Sequence, residues 1–415
     1  MMTNNQQPTH SALKSHWLLD PTIAFLNHGS FGACPKPVLE LQQQLRHHLE
    51  QQPLQFFRDY ETLLDAARCE LATFVGATPE NLVFVPNATT GVNAVLRSLA
   101  FAPGDELLTT NHEYNACRNA LNFVAERNGL RIVVAEVPFP IDHAGQIVDA
   151  VMQRVSPKTR LALLDHVTSQ TGLVFPIAEL VQKLSPLGIE TLVDGAHAPG
   201  MVPLNLEVLG ATYYTGNCHK WLSAPKGAAF LYVQPDRQSS IRPLTISHGA
   251  NSPRCDRSRF LLEFDWMGTD DPTAYLCVPE ALRFMGSLLP GGWAELMRHN
   301  HTLAISARQI LCDRLDCPLP CPDSMLGALA VIPLPAGPTL PLQESLLERF
   351  QIEVPIIPWG PPPGRQVRIS AQIYNYLEQY CWLGEALIDL LQQENLAELG
   401  NVSECKGIHP NITKP

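Results

Sequence analysis

The sequence lacks any excess of basic residues: 29 Lys and Arg stand against 40 Asp and Glu, a formal net charge of −11. It has no basic stripe either, which argues against a nucleic-acid partner. No apolar run reaches the roughly 18 residues of a membrane span, so no membrane partner is expected. The first ten residues, MMTNNQQPTH, have neither the basic nor the apolar region of a secretory signal, and a cytoplasmic location is expected. The 11 cysteines lack the even count and regular spacing of a disulfide framework and suit a reducing compartment. Cys312, Cys317 and Cys321 form the one cluster, without a fourth ligand at suitable spacing, so no metal is expected. No Gly-x-Gly-x-x-Gly suggests a nicotinamide enzyme, and no internal repeat suggests a solenoid.

What remains is a chain of 415 residues, 45% hydrophobic and 17% charged, able to bury a large core. Its middle alternates strand and helix. Strands are expected at Leu82–Val85, Glu106–Thr109, Arg131–Val137, Arg160–Asp165, Glu190–Asp194, Ala211–Thr215 and Ala228–Val233. Helices are expected from Asn87 to Leu99, Tyr114 to Arg127 and Ile177 to Leu184. This pattern predicts an α/β domain with a mostly parallel sheet, whose ligands sit at the carboxyl ends of the strands. Later, Ala281–Leu289, Trp293–Arg314 and Tyr376–Gln393 read as helices, and short strands are expected near Ala328–Ile332 and Gln366–Ser370. The Pro-rich stretches Leu334–Leu342 and Val354–Gly364 read as loops. The division expected is a large domain over 21–270 and a smaller α+β domain over 271–400, with 1–20 and 401–415 as flexible ends.

Three features fall at predicted strand ends. Asn87-Ala-Thr-Thr-Gly opens a helix, where free N–H groups and the helix dipole favour a phosphate and where Thr89 and Thr90 add hydroxyls. An ordinary helix cap has the same appearance. Asp194-Gly-Ala-His follows an apolar strand. Its carboxylate suits a protonated pyridine nitrogen, although a solvated Asp would look alike. Gly216-Asn-Cys-His-Lys220-Trp follows the next strand. A buried lysine loses basicity and becomes a nucleophile, and Lys226 is the nearby rival.

These blocks, with Asn27-His-Gly-Ser-Phe-Gly, His112-Glu-Tyr-Asn-Ala, His166-Val-Thr-Ser, Gly268-Thr-Asp-Asp-Pro-Thr-Ala-Tyr and Val367-Arg-Ile-Ser-Ala-Gln-Ile-Tyr-Asn, resemble the class V aminotransferase family, and within it the isopenicillin N epimerase-like proteins. The resemblance implies pyridoxal 5′-phosphate (PLP) as cofactor, fold type I of the PLP-dependent transferases, and Lys220 as the Schiff-base lysine. It implies Asp194 at the ring nitrogen and His197, Thr168 and Ser169 near the ring hydroxyl. Ala88, Thr89, Thr90 and His219 would hold the phosphate, with Asn217 standing where desulfurases commonly have Ser. Tyr114 is expected to stack on the ring, with His112 as the alternative. Thr269 would reach the phosphate of a second subunit, implying a homodimer with a shared site. Arg368 would bind the substrate carboxylate, and Asn27, His28 and Gly29 would line the entrance.

A cysteine desulfurase needs a thiolate on the loop before the Arg368 motif, and residues 354–366 contain no Cys. The expectation is therefore an enzyme acting at the α-carbon of an amino acid, by epimerisation or transamination. C–S lysis of a cysteine-derived substrate is the alternative, and a PLP-binding protein with little turnover is the alternative from another class.

Overall fold

The computed structural model describes residues 13–405. After the short strand β1 (Ala24–Phe25) and a single helical turn (His28–Phe31) come two longer helices, α1 (Lys36–Gln51) and α2 (Pro53–Val75). The strands β2 (Leu82–Val85), β3 (Glu106–Thr110), β4 (Arg131–Ala135), β5 (Thr159–Asp165), β6 (Glu190–Asp194), β7 (Tyr213–Asn217) and β8 (Ala229–Val233) follow. Between them run α3 (Ala88–Ser98), α4 (Asn115–Asn128) and α5 (Ile177–Leu184), and the chain then enters α6 (Gly292–Leu315). It closes with β9 (Leu329–Leu334), α7 (Thr339–Phe350), β10 (Ile352–Glu353), β11 (Ile356–Pro358), β12 (Arg365–Ser370) and α8 (Leu377–Cys405).

Strands β2 to β8 form one seven-stranded sheet in the order β2-β8-β7-β6-β5-β3-β4. The run from β7 to β4 is parallel, and β8 joins β2 and β7 antiparallel. Helices cover both faces, so the central strands read as unbroken apolar runs. Leu161 to Leu164 of β5 and Leu192 and Val193 of β6 are buried and feed two separate hydrophobic clusters. The parallel strands bring Thr110, Asp165, Asp194 and Asn217 to one edge of the sheet.

The later part of the chain builds an antiparallel sheet in the order β11-β12-β9. Strand β11 lies within Val354–Gly364, expected as loop. It survives its prolines because it is an edge strand, where a missing N–H costs no ladder bond. Helix α7 similarly starts inside the stretch Leu334–Leu342, because proline is tolerated in a first turn.

Two observations cut across the expected division. Strand β1 pairs with β10, Ala24 opposite Ile352 and Phe25 opposite Glu353, so the start of the chain is stitched to its last third. Residues 13–20, expected as part of a loose end, are packed: Leu13 and Trp17 are buried, and the Trp17 indole donates to Ala33 O at 3.1 Å. An apolar pair with a tertiary partner outweighs the polar composition around it. Residues 1–12 and 406–415 lie outside the described residues.

Candidate active site

Lys220 follows β7 in a tight turn. Its Nζ lies 3.0 Å from His197 Nε2. Burial, with the Arg368 cation adding to it, lowers the Lys220 amine to about 8. His197 follows β6 and is buried, and burial with the nearby cations holds it neutral. A neutral imidazole carries one proton. The Trp221 indole N–H donates to His197 Nδ1 at 3.4 Å, which leaves that proton on Nε2, where an uncharged Lys220 amine accepts it.

The backbone of Lys220 is held from below. His28 Nε2 meets Lys220 O at 3.0 Å and His28 Nδ1 meets the Tyr374 hydroxyl at 2.8 Å. Burial drops the His28 imidazole to about 3, so it is a neutral brace. Gly32 has φ +70°, and a Cβ there would stand 2.0 Å from His219 O. The chain after His28 therefore passes the lysine turn with no room for a side chain. The rival Lys226 gives its amine to Gly32 O at 3.0 Å and serves as a structural tie.

Asp194 is buried at the end of β6. Its Oδ1 accepts from Ala196 N at 2.9 Å and its Oδ2 from the Cys117 thiol at 3.1 Å. Burial raises this carboxyl, and the thiol, the N–H and the Lys220 charge oppose the rise. At the start of α3, Asn217 Oδ1 accepts from Ala88 N at 2.9 Å and Asn87 Oδ1 from Thr90 N at 2.8 Å. Among the described residues these bonds leave the N–H of Thr89 without a partner in the first turn, where a helix has no internal acceptor to offer. Thr89 and Thr90 are half-buried. His219 Nδ1 bonds Ala228 O at 3.0 Å, and burial lowers that ring to about 4. Approach of a phosphate dianion would raise it again and load Nε2 with a proton.

Arg368 of β12 is 4% exposed. Its Nη1 donates to Ser169 O at 2.6 Å and to Ser169 Oγ at 3.2 Å, and its Nη2 donates to Ser30 Oγ at 2.9 Å. Its Nε is buried without a partner, and burial lowers the guanidinium to about 10. Ser169 sits on a turn that Thr168 builds, since Thr168 Oγ1 accepts from Leu173 N at 2.9 Å. Thr168 thus shapes the loop while Ser169 faces Arg368.

Tyr114 and His112 separate clearly. Tyr114 is 42% exposed, makes no helix-capping bond, and lies within electrostatic reach of Arg368. His112 is buried, with Nδ1 on Thr171 Oγ1 at 2.8 Å and Nε2 on Val137 O at 3.3 Å. Phe139, Phe175 and Trp359 surround its ring, and burial drops it to about 4. Of the three residues expected at the entrance, Asn27 is half-buried and reaches Glu353 at 3.4 Å, whereas His28 and Gly29 are buried. The backbone of Gly29 lies against Ser370 Oγ, which accepts its N–H at 3.0 Å. His28 therefore braces the Lys220 backbone, while Gly29 packs against Leu329 and Ser370. Thr269 is exposed on the loop after Gly268.

Several site residues escape the sequence reading. Glu113, Cys117 and Asp194 bring one donor atom each to within 4.8 Å of one another, and Asp165 stands opposite Asp194 in the sheet register. One signal was available: Leu-Leu-Asp165 and Leu-Val-Asp194 end neighbouring strands alike. Trp221 and Ser30 carry no comparable signal.

Residues 34–329 match the family described as Aminotransferase class-V. The isopenicillin N epimerase of Streptomyces clavuligerus is 36% identical over 90% of this chain and 96% of its own length. A probable chloroplastic L-cysteine desulfhydrase of Arabidopsis thaliana is 31% identical over 90% of this chain and 84% of its own. The solved structure of a C-DES mutant with glycine covalently linked to its PLP cofactor superposes with a TM-score of 0.77, at 23% identity, over 91% of this chain and 99% of that one.

Proposed function

Because the chain belongs to the class V aminotransferase family, we propose that it is a PLP enzyme in which Lys220 removes the α-proton of an amino acid whose carboxylate Arg368 holds. The observation that carries this reading is the half-buried Lys220 side chain, whose amine is lowered to about 8 and lies 3.0 Å from a neutral His197. The donor set fits the cofactor. Lys220 would bind its carbonyl carbon, Asp194 would face its ring nitrogen, and His197 and Ser169 lie near Lys220 and Arg368 to meet its ring hydroxyl. The unpartnered N–H of Thr89, with the threonine hydroxyls and His219, would meet its phosphate, and Tyr114 would cover its ring face. When bound, PLP supplies an electron sink that takes up the pair left when the α-C–H bond breaks.

Arg368 recognises the substrate by exchanging its bonds to Ser30 and Ser169 for a two-pronged contact with a carboxylate. Its orphaned Nε is a further donor for that exchange. Lys220, once released from its own bond, is uncharged above about pH 8 and takes the α-proton at Nζ. His197 keeps its Nε2 proton directed at the same place. Asp194 keeps a negative charge where a cationic ring requires one.

Return of a proton to the α-carbon from the side opposite Lys220 gives epimerisation. Tyr114 is the group we assign to that step, since both ring nitrogens of His112 are engaged. A second reading, loss of a β-sulfur substituent, needs no acid beyond Lys220. It is supported by the desulfhydrase-named relative. We also infer a homodimer in which the exposed Thr269 reaches the neighbouring subunit's phosphate site; light scattering of the purified protein tests it, and a monomer at working concentration refutes it.

The deciding experiment adds PLP to purified protein and to Lys220→Ala, then supplies an amino-acid panel in deuterated water. A cofactor absorbance band dependent on Lys220 is expected. α-Deuterium with inverted configuration identifies epimerisation, keto acid without sulfide identifies transamination, and pyruvate with sulfide identifies elimination. A Lys220→Ala protein with the wild-type band would end the assignment.

A further inference from the structure

Behind Asp194 lies a group of acids that the proposed chemistry does not use. Glu113, one residue before Tyr114, and Asp165, at the end of β5, are both buried. Asp165 is paired with Asp194 across neighbouring parallel strands. A carboxyl oxygen of Glu113 comes within 4.8 Å of an oxygen of Asp194 and of the Cys117 sulfur. Glu113 Oε2 accepts from Thr109 Oγ1 at 2.9 Å, but Glu113 Oε1 and Asp165 Oδ2 have no partner.

The positive charge facing this cluster is sparse. From α4 comes the half-exposed Arg118, and from the turn after β7 comes Lys220. The other titratable neighbours are neutral: the Cys117 thiol and the Tyr214 phenol are pushed up by burial and by Asp194, and His166, bonded to the Tyr214 hydroxyl at 2.9 Å, is lowered to about 4. Three ionised carboxylates cannot share such a site, because like charges at this separation in a dry interior repel too strongly and each would lack the pairing a buried charge requires. Asp194 alone has a donor on both oxygens, and it acts on the Lys220 amine more strongly than Asp165 does. Burial and the neighbouring acids push Glu113 and Asp165 well above the ordinary carboxylate range.

We propose that Glu113 and Asp165 are positioning residues, two carboxyl groups that stay protonated at neutral pH so that the cluster's one negative charge resides on Asp194. This deepens the reading of Asp194 as the ring-nitrogen partner and rests on it. A proton on either acid neutralises a competing site for the ring's charge. It also adds an O–H beside Asp194 that a carboxylate could not offer. Glutamine and asparagine match the neutral acids in shape and charge, so they should preserve the arrangement.

Infrared difference spectra of the cofactor-free protein test the protonation directly. At pH 7 the wild type should show two protonated-carboxyl carbonyl bands that shift in deuterated water. One should vanish in Glu113→Gln and the other in Asp165→Asn. Absence of such bands in the wild type, or bands that both variants retain, overturns the proposal. If a variant does not fold, the wild type decides alone: two protonated-carboxyl bands present at pH 7 support the proposal whether or not they fade at alkaline pH, and their absence at pH 7 refutes it. With PLP added, both amide variants should keep the wild-type absorbance band and its pH dependence, while Asp194→Asn should lose the protonated-ring band. Failure of PLP to bind would overturn the cofactor reading while the infrared result still decides the protonation.

Discussion

Replacing Glu113 with Gln and Asp165 with Asn together should flatten the dependence of stability on pH, by an amount the two buried acids define. An acid whose folded pKa is raised binds a proton in the folded chain that the unfolded chain has released. Its contribution is fully present below the unfolded carboxylate range and is lost as pH climbs toward the folded value. Burial raises both acids well above that range. Each therefore removes about 1.4 kcal/mol of stability per pH unit through the interval. With both acids protonated in the folded chain throughout, as proposed, the two together remove about 5 kcal/mol between about pH 5.5 and 7.5 that the double amide variant keeps. His28, His112, His166, His197 and His219, all lowered by burial, act in the opposite sense, adding stability as pH rises toward their unfolded value. They are common to both proteins and cancel in the difference. At about 2 cal/mol/K per residue, a chain of this length moves its melting temperature by about 1 °C per kcal/mol. Melting curves of the cofactor-free proteins should thus diverge by about 5 °C across the interval, the wild type falling relative to the variant. Curves that stay parallel would mean that both carboxyls are already ionised in the folded protein, and the electrostatic argument would fail.

Three further outcomes follow from the same geometry. The rate at which cofactor-free protein captures PLP should rise with pH and reach half its maximum near the Lys220 value of about 8, since only the uncharged amine attacks; stopped-flow absorbance measures it, and a flat profile counts against a lowered amine. Arg368→Lys loses the planar fork and with it about 1.5–3 kcal/mol of charge-assisted bonding, so KM for the amino acid should rise about 10- to 150-fold with a smaller change in kcat. Gly32→Ala must place a Cβ 2.0 Å from His219 O at φ +70°, so both the melting temperature and PLP affinity should drop, whereas wild-type PLP binding would show that the lysine turn does not depend on this contact.

The elements that position the site were legible because their local patterns and their tertiary roles agree. Strands buried on both faces are continuous apolar runs, and β2, β3, β5 and β6 emerge within a residue or two of expectation. The sequence prefers Lys220 to Lys226 by its neighbours, and in the structure the second amine is held by Gly32 O. What escaped depends on distant partners. His28 looks like an entrance residue until Tyr374 and the Lys220 carbonyl are seen on either side of its ring. Glu113 looks like a solvated acid at a helix start until β5 and β6 close over it. Helix α7 and strand β11 were hidden by prolines that the first turn and the sheet edge both tolerate.

The pairing of β1 with β10 has a consequence for how the protein is made. Residues 24–30 leave the ribosome early, yet their partners are Ile352, Glu353, Ser370 and Tyr374. At about 5–20 residues per second, that segment waits on the order of 15 to 70 seconds before translation delivers them. The brace on the Lys220 backbone is therefore among the last parts to assemble, and a nascent chain stopped short of β10 would carry the lysine without its support.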